Sequence, residues 1–110
     1  MAKRVGMIIG IKPERIAEYE ALHADSHPGV RDLLREAHIT NFSIFIRQLD
    51  DQRHYLFAFY DYTGENYEAD MAKLAAEPRN KAWLAMTDPM QIPLSGGTSW
   101  ALMKEIYHND

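Results

Sequence analysis

Apolar and polar positions change period several times along this chain, and each change marks an element. Residues 4–11, "RVGMIIGI", are an almost unbroken apolar run of strand length, which predicts a buried strand. "KPER" then opens a helix, with Pro13 in the first turn, where its missing N–H costs nothing. Ile16, Tyr19, Glu20 and His23 share one face of that helix with Leu22 beside it, and Pro28-Gly29 breaks or kinks it. Helical spacing resumes at Val30, Leu33, Leu34 and Ala37, predicting a second helical piece on the same side of the sheet. Ser26 is its expected N-cap, with Pro28 near the first turn.

Residues 39–49, "ITNFSIFIRQL", alternate Phe42, Ile44 and Ile46 against Asn41, Ser43, Phe45 and Arg47. "DDQR" is a turn, and the aromatic run "HYLFAFYDY" (54–62) completes a hairpin. "TGENYEADMAKLAAEP" predicts a helix capped in its Thr63-Gly64 region and ended by Pro78, with Tyr67, Met71, Leu74 and Ala75 on one face. "RNKAWLAMTDPM" is another short helix stopped at Asp88-Pro89, "QIPLSGG" an irregular loop, and "SWALMKEIYH" (99–108) a last strand. The resulting order is that of an α+β, ferredoxin-like βαββαβ fold, an antiparallel sheet with helices on one face. Its other face carries Phe, Tyr, Met and Trp side chains and needs a cover. A homodimer packing sheet against sheet, as in a dimeric α/β barrel, supplies one.

A length of 110 residues suits one domain, 1–110, with a real core. Net charge is −4 and the basic residues are scattered, so no stripe is available to track a phosphate backbone, and nucleic acid is not an expected partner. The chain has no cysteine, which removes disulfides and thiolate metal sites and agrees with a reducing cytoplasm. The apolar N-terminal run is short for a signal peptide, and no stretch approaches the roughly 20 apolar residues that cross a bilayer. A soluble, cytoplasmic protein is the expectation. With no Gly-rich phosphate loop, nucleophile elbow or thiol, an enzyme built from this chain would work by proton transfer on a small neutral molecule.

The stretch "EYEALHADSHPGV" places Tyr19, His23 and His27 four residues apart. One reading is an amphipathic helix with half-buried rings whose polar tips reach water. The other is one wall of a site, in which an imidazole near its ordinary pKa of about 6.5 gives and takes a proton. His27 is either a pocket wall or a helix-end residue bonding a free carbonyl. Capping explains Asp25 and Ser26. His23, His27 and Asp25 lack the H-E-x-x-H pattern, and no metal is expected. Trp83 is either core or a flat apolar platform for a sugar ring, and Phe42 and Phe45 are most simply hairpin core.

The motifs "KPERIAEYEALH", "HPGVRDLLREAHITNFSIFI", "LFAFYDY", "AWLAMTDPM" and "MKEIYH" run nearly end to end, and in them the chain resembles the L-rhamnose mutarotase family. The resemblance implies a ferredoxin-like homodimer that interconverts the α and β anomers of a 6-deoxy monosaccharide without metal or organic cofactor. It casts His23 as the proton donor and Tyr19, one turn earlier, as a substrate contact, with Phe42, Trp83 and His27 completing the sugar pocket. The second acid/base group stays open between His27 and Asp25. Three positions depart from the family pattern: Phe42 replaces a tyrosine, Ala82-Trp83 a tryptophan pair, and His27-Pro28 a Trp-Pro. A pocket that loses a hydrogen-bonding hydroxyl changes which sugar it tolerates. L-Rhamnose is the default, with L-fucose or another deoxy sugar as the alternative. Two other classes fit the same scaffold: a cofactor-free monooxygenase with an apolar pocket, and a non-catalytic sugar-binding protein.

Overall fold

The computed structural model describes residues 3–109, and an antiparallel sheet is its frame. Strand β1 (Lys3–Ile11) pairs along its whole length with β3 (His54–Tyr62), which pairs on its far side with β2 (Ile39–Gln48). The other edge of β1 is shared. Residues Gly10 and Ile11 take β4 (Gln91–Ile92), and Gly6 to Ile8 take β5 (Ala101–Met103). The helices are α1 (Ile16–Leu22), entered through a 3-10 turn at Pro13–Arg15, then α2 (Arg31–Glu36), α3 (Tyr67–Ala76) and α4 (Pro78–Thr87).

Side-chain alternation sorts β1 into two faces. Val5, Met7, Ile9 and Ile11 point at the helices. Val5 joins Ala37, Ile39, Tyr60 and Tyr62 in one buried cluster, while Ile9 and Ile11 join Tyr19, Leu56 and Met90 in another. Gly6, Ile8 and Gly10 take the opposite face, so the unbroken apolar run is not buried equally on both sides. On that opposite face Phe45 and Phe59 meet edge to face, both exposed, with Met103 close beside Gly6.

Strand β2 contains an irregularity that alternation alone hides. Its register against β3 shifts between Thr40 and Ser43, where Asn41 adopts a positive φ of 54°. Asparagine tolerates that left-handed conformation better than most residues. Asn41 Nδ2 donates to the Asp61 carboxylate at 3.1 Å, and Asp61 is also held by Arg4. The bulge lets Ile39 and Ile44 both point inward and stacks Phe42 on Tyr60, ring centroids 5.4 Å apart.

Four expectations are corrected. The last strand covers only Ala101–Met103 rather than 99–108, and Ile106 and Tyr107 beyond it are exposed, with no layer among the described residues covering them. "QIPLSGG" is not wholly irregular, since Gln91 and Ile92 form β4. Ser26 does not cap α2, which starts at Arg31 after Gly29 has turned the chain through a φ of 53°. Asn66, not Thr63-Gly64, caps α3, its side chain accepting from the Ala69 N–H.

The β1–β4 contact leaves no room at Gly10, where a Cβ would lie 2.8 Å from the Ile92 carbonyl oxygen. That neighbour is backbone in a strand and cannot rotate away. Gly10→Ala should therefore lower stability by about 1–3 kcal/mol through overpacking. Urea unfolding of the two proteins measures it, and an unchanged midpoint would contradict this packing.

Candidate functional site

Helix α1 ends early, and its end shapes the site. The chain leaves the helix after Leu22, and the His23 N–H bonds Glu20 O at 3.1 Å. The His23 side chain then folds back, and its Nδ1 lies 2.7 Å from the carbonyl oxygen of Tyr19. A carbonyl only accepts, so Nδ1 carries the hydrogen and, in the neutral ring, the lone pair is left on Nε2. Arg31, the first residue of α2, donates from Nη2 to the carbonyls of His23 and Ala24, both at 3.0 Å. A cation on carbonyls just past a helix C-terminus suits the local dipole and holds the turn.

Around this turn lies a cleft of about 820 Å³, bounded by α1, α2, α4 and the inner face of the sheet. Each sequence-nominated residue reaches it: Tyr19, His23, His27, Phe42 and Trp83 all line its wall. The Tyr19 and His23 rings stack with centroids 4.3 Å apart and planes at 26°. Trp83, from α4, meets His23 edge-on at 5.3 Å and His27 at 5.8 Å. Gly29 permits this approach, since a Cβ there would sit 3.3 Å from the Trp83 ring. Phe42 brings an apolar ring and no hydroxyl.

The candidate acid/base groups differ in setting. Burial pushes the His23 imidazole below its ordinary value of 6.5, and the nearby Arg31 and His27 push the same way, against the bond to Tyr19 O. His23 is accordingly neutral at pH 7. Burial also raises the Tyr19 phenol; a hydrogen bond from Gln91 opposes this, and the Asp88 carboxylate adds to it. His27 Nδ1 is buried and has no hydrogen-bond partner among the described residues. Asp25 also lines the cleft, at its solvent side: its carboxylate is fully exposed and 3.7 Å from Arg31 Nη1. Among the described residues no group of three His, Cys, Asp or Glu side chains is placed to hold a metal ion, and no helix is long and apolar enough to cross a membrane.

Among the cleft residues that sequence reasoning did not nominate are Gln91, Thr87, Asn80 and Trp100. Gln91, Thr87 and Asn80 are polar yet buried. Polar residues are mostly exposed, so pattern gave no reason to place them inside. Asn80 Nδ2 donates to Leu74 O at 3.2 Å, which satisfies an end carbonyl of α3. Gln91 Nε2 donates to the Tyr19 hydroxyl at 3.0 Å.

An antiparallel sheet with helices over one face is a ferredoxin-like α+β scaffold, and its cleft, with the His23 imidazole on the wall, is a candidate small-molecule site. The same fold occurs in an L-rhamnose mutarotase from Formosa agariphila, with a TM-score of 0.72, 18% identity and coverage of 98% of this chain and 99% of that one. It also occurs in a putative antibiotic biosynthesis monooxygenase from Nitrosomonas europaea, with a TM-score of 0.59, 11% identity and coverage of 96% and 91%. Sequence separates the two. The L-rhamnose mutarotase family model matches residues 4–109, and the chain belongs to that family of carbohydrate isomerases. It is 30% identical over 108 residues to an L-rhamnose mutarotase of Bacteroides thetaiotaomicron, covering 98% of this chain and 99% of that protein. It is 33% identical over 87 residues to one of Mannheimia succiniciproducens, covering 79% of each.

The depressed pKa has a signed consequence. The folded chain binds the His23 proton only at a lower pH than the unfolded chain does. The linkage favours folding above the unfolded pKa and is lost as pH falls through the folded one. An NMR titration of the His23 ring should give a midpoint below 6.5. A midpoint at or above that value would contradict burial as the dominant influence.

Proposed function

We propose that this chain interconverts the α and β anomers of L-rhamnose, with His23 as the proton-transferring residue. The observation that carries the reading is the His23 imidazole, neutral and pinned through Nδ1 to Tyr19 O, with no hydrogen bond at Nε2 among the described residues and Trp83 packed against the ring. Ring opening of a pyranose removes a proton from the anomeric hydroxyl O1 while the C1–O5 bond breaks and O5 is protonated. Neutral Nε2 takes the O1 proton. After rotation about C1–C2, the imidazolium returns it to the carbonyl oxygen as O5 closes on the other face and gives its proton back to the second acid/base group that supplied it. His23 is thus a base in the first half and the donor in the second, as microscopic reversibility requires. Trp83 offers a flat apolar surface to the sugar's C–H face and methyl group. The ring of Phe42, stacked on Tyr60, gives that wall no hydrogen bond, which leaves L-fucose or another deoxy sugar as a second substrate to compare.

A homodimer is part of the same reading. Phe45 and Phe59 on the helix-free face, with Ile106 and Tyr107 in the segment after β5, are exposed large apolar residues. Burial of such a surface favours association of two copies sheet to sheet.

Saturation-transfer NMR on the anomeric protons tests the activity. Irradiating one anomer of L-rhamnose should weaken the other in the presence of wild-type protein. His23→Ala should slow that exchange by about 10²–10⁴-fold, the range for one general acid–base group. Exchange no faster than in buffer would sink the proposal. Sedimentation equilibrium should give twice the chain mass, with Phe45→Glu shifting it toward the single chain. A wild-type protein that sediments as one chain would remove the dimer.

A further inference from the structure

Gln91 is 9% exposed and lies where the chain passes from α4 into β4. Its backbone is locked to Ile11 by strand pairing, and its side chain reaches 3.0 Å from the Tyr19 hydroxyl. A buried amide N–H donating to a phenol oxygen occupies one of that oxygen's lone pairs. The phenol's own hydrogen must then point elsewhere. No second protein acceptor is close to it among the described hydrogen bonds, and Tyr19 lines the cleft. The stacked His23 ring turns Nδ1 back to the helix backbone, so its Nε2 points away from that backbone, as the Tyr19 hydroxyl does from the far end of its own ring.

We propose that Gln91 is the positioning residue of this site: it turns the Tyr19 hydroxyl hydrogen into the cleft, where Tyr19 protonates the ring oxygen that His23 does not serve. This rests on the mutarotase reading and supplies the partner that reading requires. The protons and electrons balance. The O1–H pair becomes the second C1–O1 bond as Nε2 takes the proton, and the C1–O5 pair goes to O5, which takes the Tyr19 proton. A phenolate and an imidazolium remain, stacked against each other, and ring closure returns both protons. The Gln91 N–H stabilises the phenolate while it exists, which a neutral donor can do without adding charge to the ground state. Asp88 acts on the same phenol in the opposite sense, and His23 is the other titrating group against it. Asp25 is exposed beside Arg31 and His27 packs against Trp83, whereas Tyr19 stacks directly on the His23 ring.

The test needs a readout independent of turnover. Tyrosine labelled with carbon-13 at Cζ, with Tyr19→Phe to assign the resonance, reports the Tyr19 phenol titration directly. Gln91→Leu removes the donor, and Gln91→Glu keeps the length but replaces the donor with an acceptor. Both should move the Tyr19 titration to higher pH. Both should also lower kcat for anomer exchange by about 10- to 100-fold with KM changed less than threefold, as expected when a hydrogen bond forms its full strength only in the transition state. If Gln91→Leu does not fold, the isosteric Gln91→Glu decides alone. A Tyr19 titration that does not move overturns the proposal, and so does one that moves while kcat stays constant. A wild-type protein with no exchange on L-rhamnose or L-fucose overturns the mutarotase reading and this proposal with it. The two failures are distinguishable because the Tyr19 titration is read in either case.

Discussion

The hydrogen bond between the His23 side chain and the Tyr19 carbonyl is the constraint on which the cleft depends. A helix C-terminus leaves carbonyls without intrahelical partners, and each must be satisfied or hydrated. In α1 the carbonyl of Tyr19 is taken by an imidazole, and those of His23 and Ala24 by the Arg31 guanidinium. These bonds fix the ring's tautomer, its tilt and its distance from Tyr19 and Trp83. They also explain why a break in the chain serves a site here. If the helix ran on through residue 27, Tyr19 O would be claimed by the backbone N–H of residue 23 and the imidazole would lose its anchor.

The sheet contributes through an interruption of a different kind. In an unbroken four-stranded sheet one strand would cover the free edge of β1. Here β4 and β5 divide it, and the chain between them is free to carry Trp100 to the cleft wall. Pairing at Gly10 and Ile11 sets Gln91 against Tyr19, and the missing side chain at Gly10 is what lets β4 come so close. On the opposite wall the Asn41 bulge performs a similar service for Phe42. Two departures from regular pairing thus aim two side chains at one cavity.

Much of the fold was legible because period and punctuation agree. The switch from the run at Val5–Ile11 to helical spacing after Pro13, and the alternation on either side of "DDQR", mark strands and helices that the structure contains. What could not be read was anything decided across the fold. The end of the last strand at Met103 depends on which layer its side chains would meet, and Ile106 is covered by none among the described residues. The bulge did leave a trace: apolar residues at 39, 42, 44 and 46 change parity between 39 and 42, which an uninterrupted strand does not allow. At the candidate site, Tyr19 and His23 could be nominated by spacing and by resemblance because they lie one turn apart at the end of one helix. Gln91 was not. Its partner is 72 residues away in sequence, and a glutamine after a proline turn carries no mark of burial.

Charge runs through these features as the deciding quantity. The formal charges that line the cleft sit at its exposed side: Arg31 is spent on backbone carbonyls, and the Asp25 carboxylate is in solvent. Beside each other in the buried part of the cavity are an imidazole that burial disfavours charging, a phenol that burial keeps further from ionising, and an amide. A buried charge facing an uncharged ligand would have to be desolvated without a counter-charge, at a cost of several kcal/mol. A set of neutral groups avoids that cost for a sugar in its ground state and can still separate charge briefly during proton transfer. Stabilising that brief separation requires a donor already aimed at the oxygen where negative charge appears. The Gln91 amide fits this role, since its position is set by strand pairing and does not change with pH.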